Sequence, residues 1–366
     1  MSGDGLSGPA ASVQQVRASK RVSGRSRRLG RRVTKSGHEP TRRFGQRQRR
    51  PGSGLQTLRQ SFGKPEPGEI APPLPPPLPP GRIVLLPGRG EVFVRDTGPR
   101  PGVPTVLLLH GWTASADLNF FLCYAELAQR YRVLAIDHRG HGRGMRSLER
   151  FTLEDCADDA AALLHELGTG PVISLGYSLG GPVSMLLAHR HPEVVAGLVQ
   201  QATALEWRAS RYERVVWKWL TLMEAGLRLG TGEGFVDRAM AQAVRQQPEI
   251  AQWRPWLDAE FRRGLTRQLV DSGRALSEYD ARPWVSQLSM PAVVCLTTRD
   301  KLVRPTKQRQ LAEALGAEVI EMTGDHDICL IHGEQYSAAT RAAVDNVAQR
   351  AGLITPARVS GLGSAS

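Results

Sequence analysis

The stretch Gly176-Tyr177-Ser178-Leu179-Gly180 sets a serine between two glycines in the spacing G-x-S-x-G. An apolar run at 172–175 precedes it, and an apolar pattern of helical spacing at 182–189 follows. The order is strand, sharp turn, helix. On such a turn the serine takes a strained backbone conformation, and its hydroxyl is displayed at the strand end. The residues two before and two after it come close together, so side chains there would collide and glycine is favoured. Ser178 also stands at a helix start, where free N–H groups and the helix dipole favour developing negative charge. The predicted chemistry is nucleophilic attack by an activated hydroxyl. A solvated serine in a glycine-rich turn would leave the same trace, since the chain holds 38 glycines. The rest of the chain must therefore supply the partners.

A serine nucleophile needs a base, and the base needs an orienting group. In strand-turn-helix sites of this kind the order along the chain is serine, acid, histidine. The run at 292–296 reads as a late strand with Asp300 just past it. The loop Thr323-Gly324-Asp325-His326-Asp327 follows the last strand-like run and offers His326. His326 would take the proton from Ser178 and return it to the leaving group, while Asp300 would fix the imidazole tautomer. Asp300 could instead cap the helix that begins near Pro305. Asp325 and Asp327 adjoin His326 in sequence and are poorly placed to face its ring. Developing charge on the reacting oxygen calls for two N–H donors. Leu179, the residue after the nucleophile, is expected to give one, and Trp112 in His110-Gly111-Trp112 the other.

The elements that must position these groups alternate. Short β-like runs at 83–86 and 91–95 flank Pro87-Gly88-Arg89-Gly90 and read as a hairpin. Further strands are predicted at 105–109, 133–136, 172–175, 194–199, 292–296 and 319–322. Helices are predicted at 118–131, 152–167, 182–189, near 307–315 and over 328–349. The helix at 152 opens on Thr152-Leu153-Glu154-Asp155, a capping-box pattern. Strands alternating with helices imply a mostly parallel sheet covered on both faces. Residues 205–285 break the rhythm. They read as helical and carry Trp207, Trp217, Trp219, Trp253, Trp256 and Trp284. Val215, Trp219, Leu222 and Gly226 fall on one helical face. A lid over the strand ends is the expectation, with plain packing as the bland reading for any single tryptophan.

Charge divides the 366-residue chain. Of 48 Lys and Arg and 35 Asp and Glu, residues 1–80 hold 16 and 4, so nearly all of the net +13 lies there. That segment is too poor in large apolar residues to offset the entropy of ordering, and its end, Pro72 to Pro80, reads as an extended polyproline spacer. It could be a polybasic arm on an anionic membrane, a transit-like segment or an idle tail. With Phe44 and Phe62 as the only aromatics before the proline tract, nucleic-acid binding is not expected. Residues 353–366 are expected to be flexible. Cys123, Cys156, Cys295 and Cys329 are widely spaced and read as free thiols in a reducing compartment. No run of 18 apolar residues is present, so no membrane-spanning helix is expected. No metal-ligand spacing and no cofactor motif is found, and the expected location is the cytoplasm, with membrane contact through the tail.

With these residues in hand, the chain from about 88 to 350 resembles the α/β-hydrolase superfamily, in particular bacterial serine esterases and lipase-like hydrolases. The resemblance rests on His110-Gly111-Trp112, Asp137-His138-Arg139-Gly140-His141-Gly142, Gly176-Tyr177-Ser178-Leu179-Gly180-Gly181, Asp300 and His326. It implies an α/β-hydrolase fold with a core at 81–204 and 286–352, a helical lid at 205–285, and a Ser178, Asp300, His326 triad with Trp112 and Leu179 as oxyanion donors. It implies hydrolysis of carboxylic esters with an apolar or lipid-like acyl part. Acyl transfer, perhydrolysis and C–C hydrolysis use the same triad and remain open. Ser178 stands where epoxide hydrolases and haloalkane dehalogenases carry Asp, which argues against both. The H-G-G-G loop of the hormone-sensitive-lipase-like branch is absent. A small-molecule or lipid ester and a monomer or weak dimer are expected. The competing reading outside enzymes is a peripheral membrane or nucleic-acid-binding module acting through residues 1–63.

Overall fold

The computed structural model describes residues 74–208, 248–263 and 267–355, with scattered positions between 210 and 245. The expectations for residues 1–73, for the helical face at Leu222 and Gly226, and for residues 356–366 lie outside the described residues. The chain forms strands β1 (Gly81–Leu86), β2 (Gly90–Asp96), β3 (Thr105–Leu109), β4 (Arg132–Ile136), β5 (Val172–Tyr177), β6 (Val195–Gln201), β7 (Ala292–Thr297) and β8 (Glu318–Met322). They make one eight-stranded sheet in the order β1-β2-β4-β3-β5-β6-β7-β8. β1 and β2 form an antiparallel hairpin that joins β4 antiparallel, and every pairing from β4 to β8 is parallel.

The sheet is buried from both sides because its central strands are apolar at most positions rather than at alternate ones. On β3, Leu107 and Leu109 face one core while Val106 and Leu108 face the other. The first core is closed by helices α3 (Leu153–Glu166), α4 (Gly180–Arg190) and α7 (Pro305–Leu315). The second is closed by α1 (Ala116–Phe120), α2 (Tyr124–Ala128), α8 (Ile328–Ile331) and α9 (Gly333–Arg350). Between β6 and β7 the described chain forms helices α5 (Arg254–Arg263) and α6 (Arg267–Glu278).

Several elements differ from expectation for visible reasons. The single helix at 118–131 is two short helices, α1 and α2. Apolar side chains occupy nearly every position there, so one straight helix would expose some; the break lets Phe120, Phe121, Cys123 and Tyr124 all be buried. The helix at 328–349 is likewise two, α8 and α9. Thr152 does cap α3, accepting the Asp155 N–H at 3.0 Å. The return half of the box is replaced, because the Thr152 hydroxyl donates to the Asp155 carboxylate at 2.7 Å. The packed chain also runs past both expected ends. Leu78, Leu353 and Ile354 pack on the second core, and the Pro80 carbonyl accepts the Asp96 N–H at 3.0 Å. In the insertion, Trp207, Trp217 and Trp256 are buried, whereas Val215 and Trp219 are 62% and 65% exposed.

Candidate active site

Four segments meet at the carboxyl ends of the parallel strands, where the strand order reverses and α/β sheets leave a crevice. Ser178 follows β5 directly, and its backbone lies at φ +52°, a left-handed conformation in a residue with a side chain. Holding it there costs roughly 1–3 kcal/mol. Three hydrogen bonds restrain it: its N–H donates to Gln201 O at 2.9 Å, and its carbonyl accepts from Gly181 N–H at 2.9 Å and from the Thr203 hydroxyl at 2.8 Å. A β-carbon at Gly176 would collide with the Gly180 carbonyl, and one at Gly180 with the Leu109 carbonyl. The two flanking glycines are thus demanded by backbone contact on either side of the serine.

Asp300 follows β7 and is buried. Its Oδ1 accepts the N–H groups of Leu302 and Val303 at 2.9 and 2.7 Å, so it does close the turn before α7. Its Oδ2 accepts from the Thr297 hydroxyl at 2.9 Å and faces His326 Nδ1, also at 2.9 Å. One carboxylate serves the turn and the imidazole together. On the other side of the ring, His326 Nε2 lies 3.0 Å from Ser178 Oγ. With Nδ1–H donated to the carboxylate, the Nε2 lone pair faces the hydroxyl. Asp325, excluded above as the orienting acid, accepts the His326 backbone N–H at 2.8 Å and pairs with Lys301 at 3.0 Å.

The loop after β3 lies against the serine: a β-carbon on Gly111 would stand 3.2 Å from Ser178 Cβ. Neither the Trp112 nor the Leu179 backbone N–H meets an acceptor among the described residues. The Trp112 indole donates to Leu269 O on α6 at 2.8 Å and packs against Gly273. On α5, buried Glu260 accepts from the Ser115 hydroxyl at 3.0 Å and pairs with Arg143. Both described insertion helices therefore touch the loop that begins at His110.

The remaining turn motif, Asp137 to Gly142, is structural. His110, His138 and His141 pack ring on ring, with centroids 4.3 Å apart for His110–His138 and 5.4 Å for His110–His141. His110 Nε2 accepts the His138 backbone N–H at 2.9 Å, so its proton sits on Nδ1 and is donated to Gly111 O at 2.8 Å. Burial holds these rings neutral: it drives His110 well below the ordinary imidazole range, His138 to about 3 and His141 to about 4. Burial also raises Asp137 to about 6, although its Oδ2 and Oδ1 accept the Arg143 and Ala116 N–H groups at 2.7 Å each. All four cysteines are free and buried. Sequence spacing gave no sign of three side chains that join the site from behind, Asn119, Cys329 and the Tyr177 phenol.

Comparison with known proteins agrees with this architecture. Residues 104–332 match the model of the alpha/beta hydrolase fold family, and the chain belongs to that family. It is 28% identical over 240 residues to a pimeloyl-[acyl-carrier protein] methyl ester esterase of Sodalis glossinidius, spanning 64% of this chain and 79% of that protein. It is 38% identical over 115 residues to a non-heme chloroperoxidase of Streptomyces lividans, but this covers 30% of the chain and only 40% of that relative. Among solved structures, the enol-lactonase of Burkholderia xenovorans superposes with a TM-score of 0.62 at 22% identity, covering 72% of this chain and all of that one. The likeness to the lactonase speaks for the fold. The protein is an enzyme of the alpha/beta hydrolase superfamily, and its relatives include esterases.

Proposed function

We propose that the protein hydrolyses carboxylic esters through an acyl-enzyme on Ser178. The observation that carries this reading is the continuous line Asp300 Oδ2, His326 Nδ1, His326 Nε2, Ser178 Oγ, with separations of 2.9 and 3.0 Å. In the first step His326 takes the Ser178 proton as Oγ bonds the ester carbon. The carbonyl oxygen becomes an oxyanion facing the N–H groups of Trp112 and Leu179, each worth ~3 kcal/mol of transition-state stabilisation. The imidazolium, held by Asp300, then protonates the departing alcohol. Water activated by the same ring releases the acid and restores the serine.

An apolar or lipid-like acyl part is the preferred substrate class. The Trp112 indole and the contacts of α5 and α6 beside it support a helical lid over the strand ends. The test is labelling with a fluorophosphonate probe, read by intact mass, on wild type and Ser178→Ala. Labelling of the wild type alone is expected. Equal labelling of both, or of neither, would sink the reading. Turnover of p-nitrophenyl esters from acetate to palmitate then tests the acyl preference, which strict selection of acetate would contradict.

The 16 basic and 4 acidic residues of segment 1–80 support a second, separable role as an arm on anionic membrane. Removing 1–73 should leave ester turnover intact and abolish sedimentation with phosphatidylserine vesicles at low salt.

A further inference from the structure

The site is assembled from segments far apart in sequence, and a buried polar chain joins them from behind. It begins at Gly111, whose N–H donates to Asn119 Oδ1 at 2.7 Å. Asn119 is only 7% exposed. Its Nδ2 donates to Cys329 Sγ at 3.5 Å. The Cys329 thiol also lies beside the Tyr177 hydroxyl, and that hydroxyl donates to the carbonyl oxygen of His326.

Proton counting gives the chain one direction. Tyr177 has a single hydroxyl proton, and it is donated to the His326 carbonyl, which leaves the phenol oxygen to face the Cys329 thiol. The sulfur in turn accepts from Asn119. Burial pushes the Cys329 thiol up to about 12, so its S–H is present across the working range. The Asn119 amide cannot turn over, because its oxygen must face the Gly111 N–H.

Gly111 has spent its N–H on Asn119, while the Trp112 N–H meets no acceptor among the described residues. A β-carbon at 111 would lie 3.2 Å from Ser178 Cβ and 3.3 Å from Asn119 Oδ1. The loop is therefore clamped between the serine and the asparagine. Resting on the reading of Ser178 as nucleophile, we propose that Asn119 is a positioning residue for the oxyanion loop. It occupies the Gly111 N–H so that the Trp112 N–H is the one presented to the substrate oxygen. Through Cys329 and Tyr177 it also ties that loop to the segment bearing His326.

The test is steady-state turnover of p-nitrophenyl butyrate by the full chain, normalised to the serines titratable by fluorophosphonate. The variants are Asn119→Leu, Cys329→Val, Cys329→Ser, the double Asn119→Leu/Cys329→Val, and Ser178→Ala. Misplacing one oxyanion donor typically costs about 10²–10³ in kcat, so Asn119→Leu should lose roughly 30- to 300-fold in kcat with KM nearly unchanged. Cys329→Val should lose kcat several-fold, and Cys329→Ser should recover it, since a hydroxyl accepts from Asn119 as the sulfur does and keeps a polar atom beside Tyr177. The double variant should be no worse than Asn119→Leu, because that change already breaks the chain at its head. A merely structural asparagine would lower the titratable fraction and leave kcat per serine unchanged, and that result overturns the proposal. So would equal kcat in Cys329→Val and Cys329→Ser, the pair that decides if Asn119→Leu does not fold. Turnover that is absent in wild type, or survives in Ser178→Ala, would defeat the underlying reading of the site. Loss in Ser178→Ala with normal kcat in Asn119→Leu would defeat only the role given to Asn119.

Discussion

Two histidine-bearing loops lie at the strand ends of this sheet, and they have opposite environments. The loop after β8 carries His326, whose side chain is 21% exposed. It has a carboxylate on one ring nitrogen and a hydroxyl on the other. The loops after β3 and β4 carry His110, His138 and His141, all buried and facing one another, with no carboxylate hydrogen-bonded to their rings among the described residues. Among the described residues His138 Nε2 has no hydrogen-bond partner. Burial without a counter-charge locks an imidazole neutral. A counter-charge with an open second nitrogen makes it a proton carrier. Residue type and strand-end position are the same in both regions; the partner decides.

The contrast is broken most severely at His326. On the proposed ester hydrolysis, His326→Ala should lower turnover by roughly 10⁴- to 10⁶-fold, since the members of a catalytic triad act as a unit, while circular dichroism stays as in wild type. Retained turnover would put the base elsewhere. Asp300→Asn should lower kcat by about 10²- to 10⁴-fold through the wrong tautomer. It keeps side-chain oxygen for the Leu302 and Val303 N–H groups, so its melting temperature should change little.

In the buried cluster the same kind of change should act on stability. His110→Ala leaves the His138 N–H without its acceptor, an unsatisfied buried donor that costs about 1–3 kcal/mol. Urea unfolding would measure it. The cluster also fixes a pH dependence. The folded pKa values of His110, His138 and His141 lie below the ordinary 6.5. The unfolded chain therefore gains protons that the fold refuses as pH falls. Their contribution is complete above 6.5 and is lost as pH falls below it, down to about 3 for His138 and about 4 for His141, by as much as ~1.4 kcal/mol per pH unit for each ring. Asp137, raised from 3.8 to about 6, acts in the opposite sense: it favours the fold at low pH and loses that contribution as pH rises through 6. Three groups oppose one, so stability should fall on acidification below 6.5. A flat profile from pH 7 to 4.5 would refute the neutral cluster. The smallest effect belongs to His138→Leu. It removes a polar atom that has no partner, so stability at neutral pH should move by less than about 1 kcal/mol, and the acid slope should drop by up to one proton.

The sequence by itself determined the parts that depend on local pattern. Six of the strand-like runs and the hairpin at β1 and β2 follow from apolar runs and turn residues, which act within a few positions. Ser178 was legible because a strand-to-helix turn demands glycine at 176 and 180, and both demands are met within five residues. Asp300 and His326 were legible as positions past strand ends, and the insertion as a break in the alternation. Other features depended on groups brought together from across the chain. Only the tertiary structure decided that Asp300 caps its own turn and orients His326 with the same carboxylate. Only it separated the histidine that faces a carboxylate from the three that face one another. It alone brought Asn119, Tyr177 and Cys329 into line, residues separated by 210 positions from first to last. Spacing along the chain records backbone geometry, whereas hydrogen bonds between distant segments leave no period to read.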